Sequence, residues 1–203
     1  MSSRNLKQET LDILTEFLEI AINNILYIRK LYPLSIFLPK KKYCVTVYQV
    51  VHPEVSQYIK DTLRAVRFHL QKNQLKKVFV CFEDQETIVD RFVIDVLVVQ
   101  DLVDSDPFLV NLEQSLRTIL LKLHAIPFYL DDTFSDEASF SIRIETSMLS
   151  TVEFNSMPAY EDFPWIEQET EQDIVESETS IVPIHMLDSD SLKLQFYVEK
   201  KQN

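Results

Sequence analysis

No glycine occurs anywhere in the 203 residues, where average usage of about 7% implies roughly fourteen. A phosphate-cradling loop, a dinucleotide-binding turn and a nucleophile elbow all need backbone that approaches a ligand closely or takes positive φ. None of the three is encoded. Cysteine is nearly as sparse: Cys44 and Cys81 have no further cysteine or close histidine at metal-ligand spacing. Their apolar neighbours predict two buried thiols in a reducing compartment, and no metal or other cofactor is expected. Met1–Glu9 lacks the continuous apolar core of a signal peptide. The longest apolar stretch, Leu11–Leu31, is interrupted by Asp12, Glu16, Glu19 and Arg29, so no membrane span is expected. The four histidines, His52, His69, His124 and His185, pair with no serine, cysteine or carboxylate at a recognised catalytic spacing. Asp131 with Asp132, or Asp188 with Asp190, lack the ligand number and glycine turn of a calcium loop. An enzyme is not expected.

What is present reads as a folded domain. Hydrophobic residues make up 46% of the chain and charged residues 26%, close to the globular average, and a chain of this length can bury a sizeable core. The net charge of −12 is unevenly placed. Between Ile144 and Leu192 there is no lysine or arginine, while twelve acidic residues fall there, so the remaining twenty acidic residues match the twenty basic ones. The body is neutral and the C-terminal quarter carries the excess. Such a segment repels phosphate backbones, which argues against direct nucleic-acid binding. It is either a solvated acidic loop, the reading that composition alone favours, or a mobile segment that closes on a partner.

Apolar spacing organises the rest. Leu11, Leu14, Leu18, Ala21, Ile25 and Ile28, with a second row at Ile13, Phe17 and Ile20, predict a central helix covered on more than one face and ended by Pro33. After a basic turn at Lys40–Lys42, Tyr43–Val51 reads as a strand. Pro53 opens a second helix with the stripe Val55, Ile59, Leu63, Val66 and Leu70. Val78–Phe82 and the alternating Phe92, Ile94, Val96 and Val98 predict a hairpin across Glu83–Glu86. Asp106 and Pro107 cap a third helix through Leu109, Leu112, Leu116, Ile119 and Leu123. Phe140, Ile142 and Ile144 alternate as another strand. Beyond Thr146 the texture is polar and acidic, with apolar islands at Phe163–Ile166 and Ile181–Leu187, before Leu192, Leu194, Phe196 and Val198 alternate in a half-buried last strand. The expected fold is α+β: three helices packed on a mainly antiparallel sheet, with a long C-terminal excursion that returns to it.

Two aromatic residues stand out. Trp165, the only tryptophan, lies in the apolar island of the acidic segment, either as that segment's anchor or as a contact for something it covers. Tyr58 lies beside the second helix's apolar stripe, where its ring either packs at the rim or reaches across a groove edge.

Eight short segments carry a resemblance: Glu16-Phe17-Leu18-Glu19, Ile25-Leu26-Tyr27-Ile28-Arg29, Tyr32-Pro33, Lys41-Lys42-Tyr43, His52-Pro53-Glu54 with Gln57-Tyr58-Ile59, Asp61-Thr62-Leu63, Asp162-Phe163-Pro164-Trp165-Ile166 and Gln195-Phe196-Tyr197-Val198-Glu199. In this order and spacing, from about residue 11 to 200, the chain resembles the HORMA-domain family, and within it the non-catalytic accessory subunit of translesion DNA polymerase zeta. The resemblance implies a HORMA core at 1–146 and a C-terminal safety belt at 147–203. It implies an adaptor that traps a proline-containing peptide of the polymerase zeta catalytic subunit under the belt. It also implies binding of the C-terminal domain of a deoxycytidyl-transferring translesion polymerase, association with DNA-end-protection proteins, a HORMA homodimer or heterodimer, and a nuclear or also cytoplasmic location. By position, Tyr58 and Trp165 match peptide-clamping aromatics, Ile181, Gln195 and Tyr197 match residues facing the second polymerase, and Arg117 matches an arginine used between HORMA protomers. Pro39 and Phe128 depart from the family pattern near that arginine, Glu167 departs from it beside Trp165, and the acidic run Glu167–Glu178 is richer than the pattern. A spindle-checkpoint HORMA protein that binds a cell-cycle regulator is the alternative reading.

Overall fold

Helix α1 (Ser3–Arg29) is the centre of the molecule. Leu14, Phe17, Leu18, Ala21, Ile22, Ile25 and Leu26 are all completely buried, so the two apolar rows serve two packing faces, as a helix enclosed by other elements requires. The computed structural model describes residues 3–99, 110–130, 134–147, 165, 179–188 and 192–201.

One side of α1 carries a hairpin of β1 (Phe37–Lys42) and β2 (Val45–Val50). Two buried asparagines hold it there. The Asn23 side chain accepts the Val50 N–H at 2.9 Å and Asn24 accepts that of Tyr48 at 3.2 Å. Their amide groups donate back to the Glu19 and Ile20 carbonyls of α1, so these polar side chains are satisfied in the interior. Lys40–Lys42, expected as a turn, belongs instead to β1. The two-residue loop is Tyr43–Cys44, with φ of 47° and 57°, the geometry that suits the right-handed twist of a hairpin. The expected burial of Cys44 is therefore wrong: at the loop tip it is exposed, whereas Cys81 is buried as expected.

Helix α2 (Pro53–Gln71) begins with proline in its first turn and buries Ile59, Leu63, Val66 and Leu70, most of the predicted stripe. It leads into the hairpin of β3 (Leu75–Asp84) and β4 (Thr87–Val99), whose two-residue loop is Gln85–Glu86 with φ of 50° and 62°. In a chain without glycine, ordinary side chains carry this left-handed backbone. Helix α3 (Val110–Leu123) buries Leu112, Leu116, Ile119 and Leu123; Asp106 and Pro107, its expected start, lie outside the described residues. Strand β5 (Ser139–Thr146) follows a short 3-10 turn at Ile126–Tyr129. The island Ile181–Leu187 is a strand in its own right, β6 (Thr179–Asp188), and it pairs with β7 (Leu192–Lys201).

The main sheet runs β5-β3-β4-β7-β6, every neighbour antiparallel. The three helices, a main core between them and this sheet realise the expected α+β architecture. In β7, Leu192, Leu194, Phe196 and Val198 are buried while Lys193, Gln195 and Tyr197 are half-buried, the alternation the sequence predicts.

Candidate peptide-binding site

Sheet order decides where another chain can bind. β5 and β6 form the opposite edges of the five-stranded sheet, about 19 Å apart at ordinary strand spacing. The chain leaves the sheet at the end of β5 and re-enters it at β6, so the connection joins the two edges. Trp165, described within it along with Ser147, packs against Ala65 and Phe68 on α2, which are 1% and 7% exposed. The C-terminal segment is therefore fixed at both sheet edges and tied to α2 between them.

The β5 edge lies beside Tyr58. Val55 and Tyr58 face the core from the first turns of α2, and the Tyr58 hydroxyl accepts the Ile142 N–H of β5 at 2.9 Å. Its ring meets Phe140 edge-on at 5.5 Å, and Phe140 in turn meets Tyr32 edge-on at 6.0 Å. Burial raises the Tyr58 phenol above its ordinary pKa, and the bond from Ile142 opposes that shift in part. Tyr58 and Ala65 are seven residues apart on one helix, so the two sequence-singled aromatics mark positions about 10 Å apart along α2. Sequence reading found Tyr58 and Trp165 but missed Ile142, whose part is played by a backbone amide and leaves no signature in side-chain type.

A second surface lies at the other edge. Ile181 pairs with Glu199, Pro183 with Tyr197 and Met186 with Gln195 across β6 and β7. The structure thus brings the predicted Ile181, Gln195 and Tyr197 together around an open cavity of about 620 Å³. Ile181 is 64% exposed, an apolar side chain with room for a partner. Lys122 on α3 and His185 on β6, which sequence reading did not single out, close the cavity, with Lys122 Nζ 3.2 Å from His185 Nδ1. Burial, then the Lys122 charge, lower the His185 pKa, so the neutral imidazole can accept from the ammonium group. Tyr197 packs against the small buried cluster of Phe79, Cys81, Ile88 and Val93.

Arg117 lies on the exposed face of α3, four residues before Leu121, which is 50% exposed. Phe128, just beyond the helix, is 88% exposed.

A family model described as the HORMA domain matches residues 10–125. The mitotic spindle assembly checkpoint protein MAD2B of Homo sapiens is 38% identical over 199 residues, covering 97% of this chain and 93% of its own length. DNA polymerase zeta subunit 2 of Drosophila melanogaster is 21% identical over 189 residues, covering 92% and 96%. Among solved structures, a chain in a crystal structure of the mitotic checkpoint complex superposes with a TM-score of 0.79 at 17% identity, covering 95% of this chain and 99% of its own.

Proposed function

The chain belongs to the HORMA-domain family, and on that premise we propose that it is a non-enzymatic adaptor of a polymerase zeta complex. It captures a proline-containing segment of the catalytic subunit along β5, beneath the connection tied down by Trp165. At the β6–β7 surface it receives the C-terminal domain of a second translesion polymerase through Ile181, Gln195 and Tyr197. The observation that carries this reading is the sheet order, which leaves β5 as an edge beside Tyr58 while β6 and β7 occupy the far side. An extended peptide can add to such an edge, its main chain giving affinity and its side chains specificity. The DNA polymerase zeta name of the Drosophila relative supports this partner. The checkpoint name of the human relative supports the second reading, capture of a cell-cycle regulator at the same edge.

Isothermal titration of the full chain with a proline-containing segment of the polymerase zeta catalytic subunit tests the reading. Tyr58→Ala and Trp165→Ala are each expected to weaken binding by 2 kcal/mol or more, roughly thirtyfold. Unchanged affinity in both variants rejects the site. Tight binding of a cell-cycle regulator's peptide, with none of the polymerase segment, moves the assignment to the second reading.

A further inference from the structure

A sheet edge is a template for any extended chain, and proteins protect such edges. This sheet has two, guarded in different ways. On β6, Pro183 has no N–H to offer, and the register shifts between Pro183 and His185, so the ladder is interrupted by covalent structure. On β5 there is no proline, and every residue from Ser139 to Thr146 keeps its amide.

Along β5 the groups that face away from β3 alternate with those that face it. Ile142 gives its N–H to Tyr58 on a different element, so its amide points off the sheet, and Phe140 and Ile144 share that direction by the same alternation. Among the described residues no strand pairs with this side of β5. Ile142 is the middle one of the three positions, and the Tyr58 oxygen sits at 2.9 Å from its nitrogen, where the carbonyl oxygen of an added strand would lie. A strand pairing through all three positions meets the phenol at its centre.

We propose that the Tyr58 hydroxyl is a removable occupant of the β5 edge, which no strand pairs among the described residues, holding the Ile142 amide until a main-chain carbonyl of a captured extended peptide takes it over. The chemistry favours exchange: one neutral oxygen acceptor replaces another on the same N–H, so the bond lost is repaid by the bond gained. Phe140 packs edge-on against the ring and keeps it in place. Side-chain rotation is enough to release it, unlike the permanent interruption at Pro183. The capping of the Ile142 amide stands by itself; the displacement rests on the peptide capture proposed above.

Amide hydrogen exchange read by NMR tests both halves, using Tyr58→Phe, which keeps the ring and removes the acceptor. In the chain alone, Ile142 is expected to exchange about fivefold faster in the variant than in the wild type, while Val80 and Phe92 in the sheet interior stay unchanged. Equal Ile142 rates in the two free proteins overturn the capping. In complexes saturated with the proline-containing polymerase segment, Ile142 is expected to be equally protected in both. If it still exchanges faster in the variant complex, the hydroxyl keeps the amide after capture and the displacement is overturned. A peptide that binds neither protein overturns the displacement together with the proposed capture, and the free-chain comparison still decides the capping.

Discussion

Arg29 and Asp90 form an ion pair at 2.6 Å in which each side chain is only 1% exposed. The guanidinium also lies over the rings of Phe134, 4.5 Å away, and Phe82, 5.7 Å away. Arg29 ends α1, Asp90 lies on β4 opposite Lys200 of β7, and Phe134 precedes β5. The pair therefore joins the central helix to the strand that receives the C-terminal hairpin and to the approach of β5. Removing one partner leaves the other charge in the interior, a loss of about 3–5 kcal/mol. Arg29→Met also gives up cation–ring attraction of about 1 kcal/mol, which keeps it toward the upper end of that range. For a chain of this size each kcal/mol shifts the melting midpoint by about 2–4 °C, so Arg29→Met is expected to lower it by roughly 6–20 °C. Asp90→Leu alone should cost a similar amount. The double variant Arg29→Met/Asp90→Leu leaves no buried charge and should recover most of the loss, since apolar replacement of a buried pair is often close to neutral. Circular dichroism melts and urea titrations of the four proteins give the coupling energy directly. A single variant that loses less than about 1 kcal/mol, or a double variant that loses the sum of the singles, refutes the reasoning.

The pKa of His69 is lowered to about 4 by burial and then by Lys72. The unfolded chain thus takes up a proton near its ordinary 6.5 that the folded chain refuses until about 4. Stability should fall with acid across that window, and urea midpoints of His69→Gln should show a shallower slope there; equal slopes exclude His69 as the cause. At the β3–β4 loop, Gln85→Asn with Glu86→Gly supplies the residues that accept positive φ most readily and should add about 0.5–1 kcal/mol, read as a higher urea midpoint. No gain would mean that the left-handed backbone costs little here. Trp165→Ala, which empties the contact on Ala65 and Phe68, should raise the peptide release rate far more than it lowers the association rate, and surface plasmon resonance separates the two. Equal release rates would place the peptide in an open groove. Replacing Gln195 and Tyr197 together by alanine should abolish binding of the second polymerase domain and spare the β5 edge; loss of both partners with an unchanged melt would reject two separate surfaces.

Local pattern alone determined much of this protein. The two apolar rows of α1, the stripe after Pro53 and the strict alternation of β7 each follow from a period that matches one burial geometry, so the helices and the last strand were legible before any contact was known. The acidic excess beyond Ile144 and the isolated Trp165 marked the C-terminal segment as different in kind from the body. Tertiary structure decided the rest. Lys40–Lys42 is a strand because Asn23 and Asn24 hold the hairpin against α1, and no short-range pattern encodes a partner more than twenty residues away. Cys44 is exposed because that register puts the loop at Tyr43–Cys44. Tyr58 and Ile142, 84 residues apart, meet only because β5 lies at one edge of the sheet and β7 joins β4 on the other. Which strands lie at the edges is a property of strand order, fixed by the packing of the whole chain and by no single segment of it.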